Sequence, residues 1–267
     1  MEKTAHLQSR IWLEEPEPNN PFACRAAYCH GYDVYGEMLG KAGWADMVYL
    51  LFKGEAPSRA QVAVLELLAV ALANPGPRDP SVHAAMCAGV GGSPAASALM
   101  AALAVGAGGA GGGRELFRAM QAWERCGTEL SRWRDELIAP ASGSEPIEIW
   151  PAAEHAAGFD PWGETTATPV RQLLAALAAL APDSRCGWLA EARAALEHVA
   201  GRPLSMLGVV AAAFTDLGLS PEQGEMLLLL LRLPGAAAHA LEQGGWGHKQ
   251  FPFYALELES SGTGAVT

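Results

Sequence analysis

The chain has 267 residues, 50% of them hydrophobic and 18% charged, and a formal net charge of -11. At that length one large domain, or two sharing a core, is expected, since single cores stop growing near ~250–300 residues. With Asp and Glu at 29 against 18 Lys and Arg, a broad nucleic-acid surface is excluded, because phosphate binding needs a concentrated positive patch; a small basic pocket is not.

From the N-terminus, MEKTAHLQSRIWLEEPEP is polar and proline-bearing, without the apolar core of a signal peptide. Cys24, Cys29, Cys87, Cys126 and Cys186 are odd in number, scattered and form no C-x-x-C pair, so they read as free thiols in a reducing compartment, and a cytoplasmic location is expected. Alanine makes up roughly a fifth of the chain, a mixture that favours helices packed closely through small side chains. β-branched alternation is nearly absent, and an all-α fold follows.

Ser58-Arg59-Ala60-Gln61 is a capping box that opens a helix expected to run to Asn74, where Pro75, Gly76 and Pro77 stop it. Ser93-Pro94 opens a second over Ala95–Val105 as N-cap plus N1 proline, and a third begins near Arg114 after a glycine tract. Residues 141–163 are rich in Pro, Gly and Ser and read as an irregular connection. Thr168-Pro169, Ser184 and Pro203 start three more helices. Ser220-Pro221-Glu222-Gln223 is another capping box, introducing Met226–Leu231 and, past Pro234, Ala236–Gln243. The longest apolar stretch, Ala95 to Ala107, is about thirteen residues, below the ~18–20 that cross a bilayer, so no membrane span is expected.

Two distant stretches carry a resemblance. Gly31-Tyr32-Asp33 followed by Trp44 to Ser58, and Asp216-Leu217-Gly218-Leu219 followed by Arg232 to Glu242, resemble in the same order the "GYD … EVxYLLxxGELPT" and "DLG … R-x-x-G-x-x-A-H-x-x-E" patterns of the citrate synthase family. The similarity covers about residues 31–242, and the short chain is closer to the compact citryl-CoA lyase branch. The resemblance implies a helical homodimer. It also implies a large domain from 31–115 and 203–254, a small domain from 116–202, an N-terminal arm over 1–30 and a disordered tail over 255–267.

The same resemblance implies carbon–carbon bond formation or cleavage through an enol of an acyl-CoA, with a coenzyme A thioester as substrate or ligand, a polycarboxylate as its partner molecule, and no covalently bound cofactor. An Asp base and two His residues serve that chemistry in the family, because the acetyl methyl group is a very weak acid and its enolate oxygen needs a donor. Here Gly111 stands where the "H-G-G-A" histidine would be, Pro161 falls at the histidine of "G-F-G-H" in Gly158-Phe159-Asp160-Pro161, and Leu207 aligns with the "N-V-D" aspartate. None of the three moves a proton. His155 lies a few residues upstream of the second position, and Arg171 is near the place of the family's "D-P-R" arginine. Ordinary citrate synthesis is therefore not expected. The alternative is a non-catalytic dimer that binds CoA esters or polycarboxylates.

Arg232 closes an apolar helix and needs an anion, either a ligand carboxylate, as its family counterpart binds, or a structural acid. Arg114 and Glu115 open the helix after the glycine tract and face the same site or serve as ordinary terminal charges. His83, His239 and Lys249 are further candidates for substrate binding, each against a packing role. Gly106, Gly108 and Gly111 match G-x-G-x-x-G only on paper, since a dinucleotide fingerprint follows a strand and this tract follows an alanine-rich helix; it serves close helix crossing or cradles an anion. No His, Cys, Asp or Glu cluster has metal-ligand spacing, and no metal is expected.

Overall fold

The computed structural model describes residues 8–138 and 155–251. The expected disordered tail over 255–267 lies outside these residues, as does most of the irregular connection expected at 141–163.

Ten α-helices among the described residues carry the fold, in keeping with the all-α reading. A small sheet accompanies them: β1 (Trp12–Glu17) and β2 (Asn20–Cys29) pair antiparallel, and β3 (Tyr32–Asp33) extends the sheet. The segment expected as an N-terminal arm, 1–30, thus contains a hairpin. Composition concealed it, because neither long strand holds a Val, Ile or Thr. A π-helical turn over Val34–Met38 leads to α1 (Trp44–Lys53).

The caps at Ser58, Ser184 and Ser220 fall where the sequence places them. Ser58 Oγ accepts from the Gln61 amide at 3.2 Å, Gln61 Oε1 accepts from the Ser58 amide at 2.8 Å, and α2 (Arg59–Leu72) follows, ending shortly before the expected Asn74. Asp79 Oδ1 accepts from the Ser81 amide at 2.9 Å to open α3 (Pro80–Val90). Then come α4 (Ala95–Gly106), α5 (Gly113–Cys126), α6 (Leu130–Ile138), α7 (Thr168–Leu180) and α8 (Arg185–Ala200). The helix expected from Pro203 begins later, as α9 (Met206–Asp216), because Ser205 is its cap and accepts from the Gly208 amide at 3.3 Å.

The two helices expected on either side of Pro234 are one, α10 (Pro221–Trp246). Pro234 lies on an exposed face of it, where the carbonyl that loses its amide partner can be solvated. By length and composition alone α10 is apolar enough to cross a bilayer, which the expectation of no membrane span did not foresee. Its Leu227, Leu228 and Leu231, and its Ala236 and Ala240, are buried in protein cores.

The chain divides into two compact units. The larger comprises Met1–Asn74 and Gly106–Arg232. At its centre α9 buries every side chain from Val209 to Phe214, with α5 and α8 packed on α9, and α7 on α8. Trp123 meets Trp133 and Trp188 edge-on there, at centroid distances of 4.8 and 5.8 Å. The smaller unit comprises Pro75–Val105 and Leu233–Thr267, and its core is almost all alanine: Ala85, Ala98, Ala102, Ala236 and Ala240 around Val82. Close approach makes that core possible, since a Cβ on Gly89 would lie 2.2 Å from the Ala240 carbonyl oxygen.

Candidate functional site

Within the larger unit, three stretches distant in sequence come together: the glycine tract around Gly111, the loop 155–163, and the start of α9. Glu115, in the first turn of α5, joins the first two. Its carboxylate accepts from the Gly111 amide at 2.6 Å and from the Gly158 amide at 3.1 Å. The Gly158 carbonyl in turn accepts from the Ser205 amide at 3.0 Å, Asp160 donates its amide to the Pro203 carbonyl at 2.8 Å, and Phe159 forms a β-bridge with Leu204. A Cβ on Gly208 would lie 2.3 Å from the Gly158 oxygen, so the backbones touch. The stretches of Gly111, Pro161 and Leu207 therefore adjoin one another.

Glycine is needed at 111, where φ is +70°, a region that L side chains rarely adopt. Leu207 is buried. Two titratable groups do meet at this junction: His155 Nε2 lies 3.8 Å from Glu115 Oε1, and the two side chains are 8% and 5% exposed. Sequence reasoning named both residues without pairing them, because 40 positions and an irregular connection separate them and no local spacing signals the contact.

Arg232 donates from Nη1 to the Gly111 carbonyl at 3.0 Å, which ties α10 to the same tract. Arg114 lies 3.8 Å from Glu225 and places its guanidinium 4.1 Å above the Phe117 ring. The tract is folded on itself: the Arg114 amide donates to the carbonyls of Ala107 and Gly108, and a Cβ on Gly112 would lie 2.5 Å from the Gly108 oxygen. In the smaller unit, the His83 ring centroid lies 5.8 Å from that of Phe251, His239 Nδ1 is 3.3 Å from Glu242 Oε2, and Lys249 is exposed on the short helix His248–Gln250.

A cavity of about 720 Å³ opens in the larger unit, lined by Arg171, Arg193, Arg202 and His198 together with Thr166 and Glu197. Sequence reasoning singled out only Arg171 here. Arg193 and Glu197 sit four apart on α8, a spacing that places them on one helix face. Burial alone would raise the Glu197 pKa, but hydrogen bonds from the Thr166 hydroxyl, the Leu204 amide and Arg193 outweigh it and hold the carboxyl below its ordinary value. The cavity thus presents three guanidinium groups and a stably ionised acid that fixes one of them, an arrangement suited to an anion with several oxygens. Among the described residues no group of three or more His, Cys, Asp or Glu is placed to hold a metal ion.

No protein-family model matches this sequence, and no curated protein matches it. Solved structures do. The chain is similar to citryl-CoA lyase from Hydrogenobacter thermophilus, with a TM-score of 0.70 and 18% identity over 95% of this chain and 96% of that one. It is also similar to ATP citrate lyase from Methanothrix soehngenii in complex with citrate and coenzyme A, with a TM-score of 0.72 and 17% identity over 98% of this chain. ATP citrate lyase from Methanosaeta concilii, a mutant in complex with (3S)-citryl-CoA, gives a TM-score of 0.71 at 17% identity. This chain spans 43% of the length of each ATP citrate lyase. Its fold is therefore that of citryl-CoA lyase, the citrate synthase-like arrangement of helices.

Proposed function

We propose that this chain binds a coenzyme A ester of a polycarboxylic acid and does not carry out citrate synthesis by the two-histidine and aspartate route. One observation carries the reading: the three stretches that resemble the family's catalytic motifs adjoin, yet they bring glycine, proline and leucine to the three positions. The acid at the junction, Glu115, is committed to two backbone amides. A carboxylate that ties two loops together in this way serves the scaffold.

The arginine-lined cavity suits the phosphates of coenzyme A, whose charge needs guanidinium partners. The similarity to structures holding citrate, coenzyme A and citryl-CoA supports the same ligand class. We further propose that the protein acts in the cytoplasm as a homodimer, with residues 116–202 as its small domain.

A second reading is favoured by the His155–Glu115 contact: carbon–carbon bond cleavage or formation of the same class, with His155 as the proton-transfer group in place of the missing ones. The test is a thermal-shift series with CoA, acetyl-CoA and citryl-CoA, followed by turnover assays on the ligands that bind. Stabilisation by CoA esters without turnover supports the first reading, and turnover lost in His155→Ala supports the second. No stabilisation by any CoA ester, citrate or oxaloacetate refutes both.

A further inference from the structure

The loop that carries Pro161 runs on into the wall of the arginine-lined cavity, and packing does not account for its largest side chain. Trp162 is 91% exposed, the most exposed tryptophan among the described residues. An indole left in water forgoes one of the larger burial gains open to a side chain.

The backbone beneath it is fixed. Asp160 donates its amide to the Pro203 carbonyl at 2.8 Å and accepts from the Trp162 amide through Oδ1 at 2.9 Å, which makes an Asx turn. A Cβ on Gly163 would lie 2.8 Å from Asp160 Oδ2 and 3.1 Å from the Pro203 ring. Gly163 and Pro203 both line the cavity, so Trp162 stands at its rim on a turn anchored to its wall. Inside, Arg193 is held as well: Nη1 donates to Glu197 at 2.8 Å and to the Thr166 hydroxyl at 3.2 Å.

Charge and chemistry narrow the occupant. Three arginines against Glu164 and Glu197 leave the cavity net positive in a chain of net charge -11, which selects an anion. Guanidinium groups take phosphates, and an aromatic face takes a planar base. Glu164, exposed two residues beyond the indole, repels a bare polyphosphate but accepts from a ribose hydroxyl or an exocyclic amine. We infer that Trp162 is a stacking platform for the base of a purine nucleotide whose phosphates lie among Arg171, Arg193 and Arg202, and that this nucleotide is the adenosine bisphosphate end of coenzyme A.

The inference rests on the coenzyme A reading above, which needs only the phosphate contacts. Calorimetric titration of the wild-type protein, Trp162→Ala and Trp162→Phe with CoA, adenosine 3′,5′-bisphosphate and inorganic pyrophosphate separates the two. Trp162→Ala should raise the dissociation constants of CoA and of the bisphosphate on the order of tenfold, and Trp162→Phe, which keeps a ring, by less. Pyrophosphate has no base and should bind the wild type and Trp162→Ala equally. The indole is exposed, so both variants should keep the wild-type thermal unfolding. Binding of CoA to Trp162→Ala as tight as to the wild type, or an equal loss for pyrophosphate, overturns the stacking role and leaves the coenzyme A reading standing. A wild-type protein that binds neither CoA nor the bisphosphate overturns both.

Discussion

Glu115 holds the two loops that meet beside α5, and its contribution is measurable. Removing its carboxylate leaves the amides of Gly111 and Gly158 without their acceptor; Gly111 is exposed and its amide can turn to water, whereas Gly158 is buried, and an unsatisfied buried donor costs about 1–3 kcal/mol. Glu115→Ala should therefore lower the unfolding free energy by roughly 1–3 kcal/mol in a urea titration, and Glu115→Gln, which keeps one oxygen acceptor, by less. An unchanged midpoint for Glu115→Ala would mean that the loops are held by other contacts. Glu197 gives a prediction in pH. Its carboxyl pKa is lowered in the folded chain, so the stability it adds is present above the unfolded glutamate pKa and is lost as pH falls through the folded one. The stability difference between wild type and Glu197→Gln should hold steady near neutrality and shrink as pH falls below the ordinary glutamate range; a difference that grows in acid would contradict the assignment.

Among the elements, helix ends were the most legible in the sequence. Ser58 with Gln61 and Ser220 with Gln223 are capping boxes by residue type and by geometry, because the signal is confined to four consecutive residues. The hairpin was not legible, since its strands lack β-branched residues and are held by their ladder rather than by propensity. Pro234 misled for the opposite reason: the local rule breaks the helix, while cores on both sides of the proline bury α10 and carry it through. The close approaches at Gly89 and Gly208 were invisible too, because a glycine that touches another backbone looks like any other in sequence. Gly208→Ala tests one of them. Its Cβ would meet the Gly158 carbonyl and the Leu204 side chain, and about 1–3 kcal/mol of stability should be lost through overpacking at the centre of the candidate site. A Gly208→Ala protein as stable as the wild type would show that the loop can move aside.

Across the whole molecule, the residues of the resemblance were sufficient to foresee the citrate synthase-like helical fold, because a fold tolerates substitution wherever volume and pattern are kept. The site was legible only in part. Gly111, Pro161 and Leu207 showed which side chains are missing, whereas the contact of His155 with Glu115 and the grouping of Arg193 and Arg202 with Arg171 depend on how α7, α8 and the loops are stacked. Arg232 was read as an anion holder, and its guanidinium donates to the Gly111 carbonyl. The most direct test of the account is a calorimetric titration of the wild-type protein and of Arg202→Ala with citryl-CoA at low and high salt. Saturable binding to the wild type, weakened on the order of tenfold by Arg202→Ala and by added salt, is the predicted result. A wild-type protein that takes up no citryl-CoA at either salt concentration would contradict it.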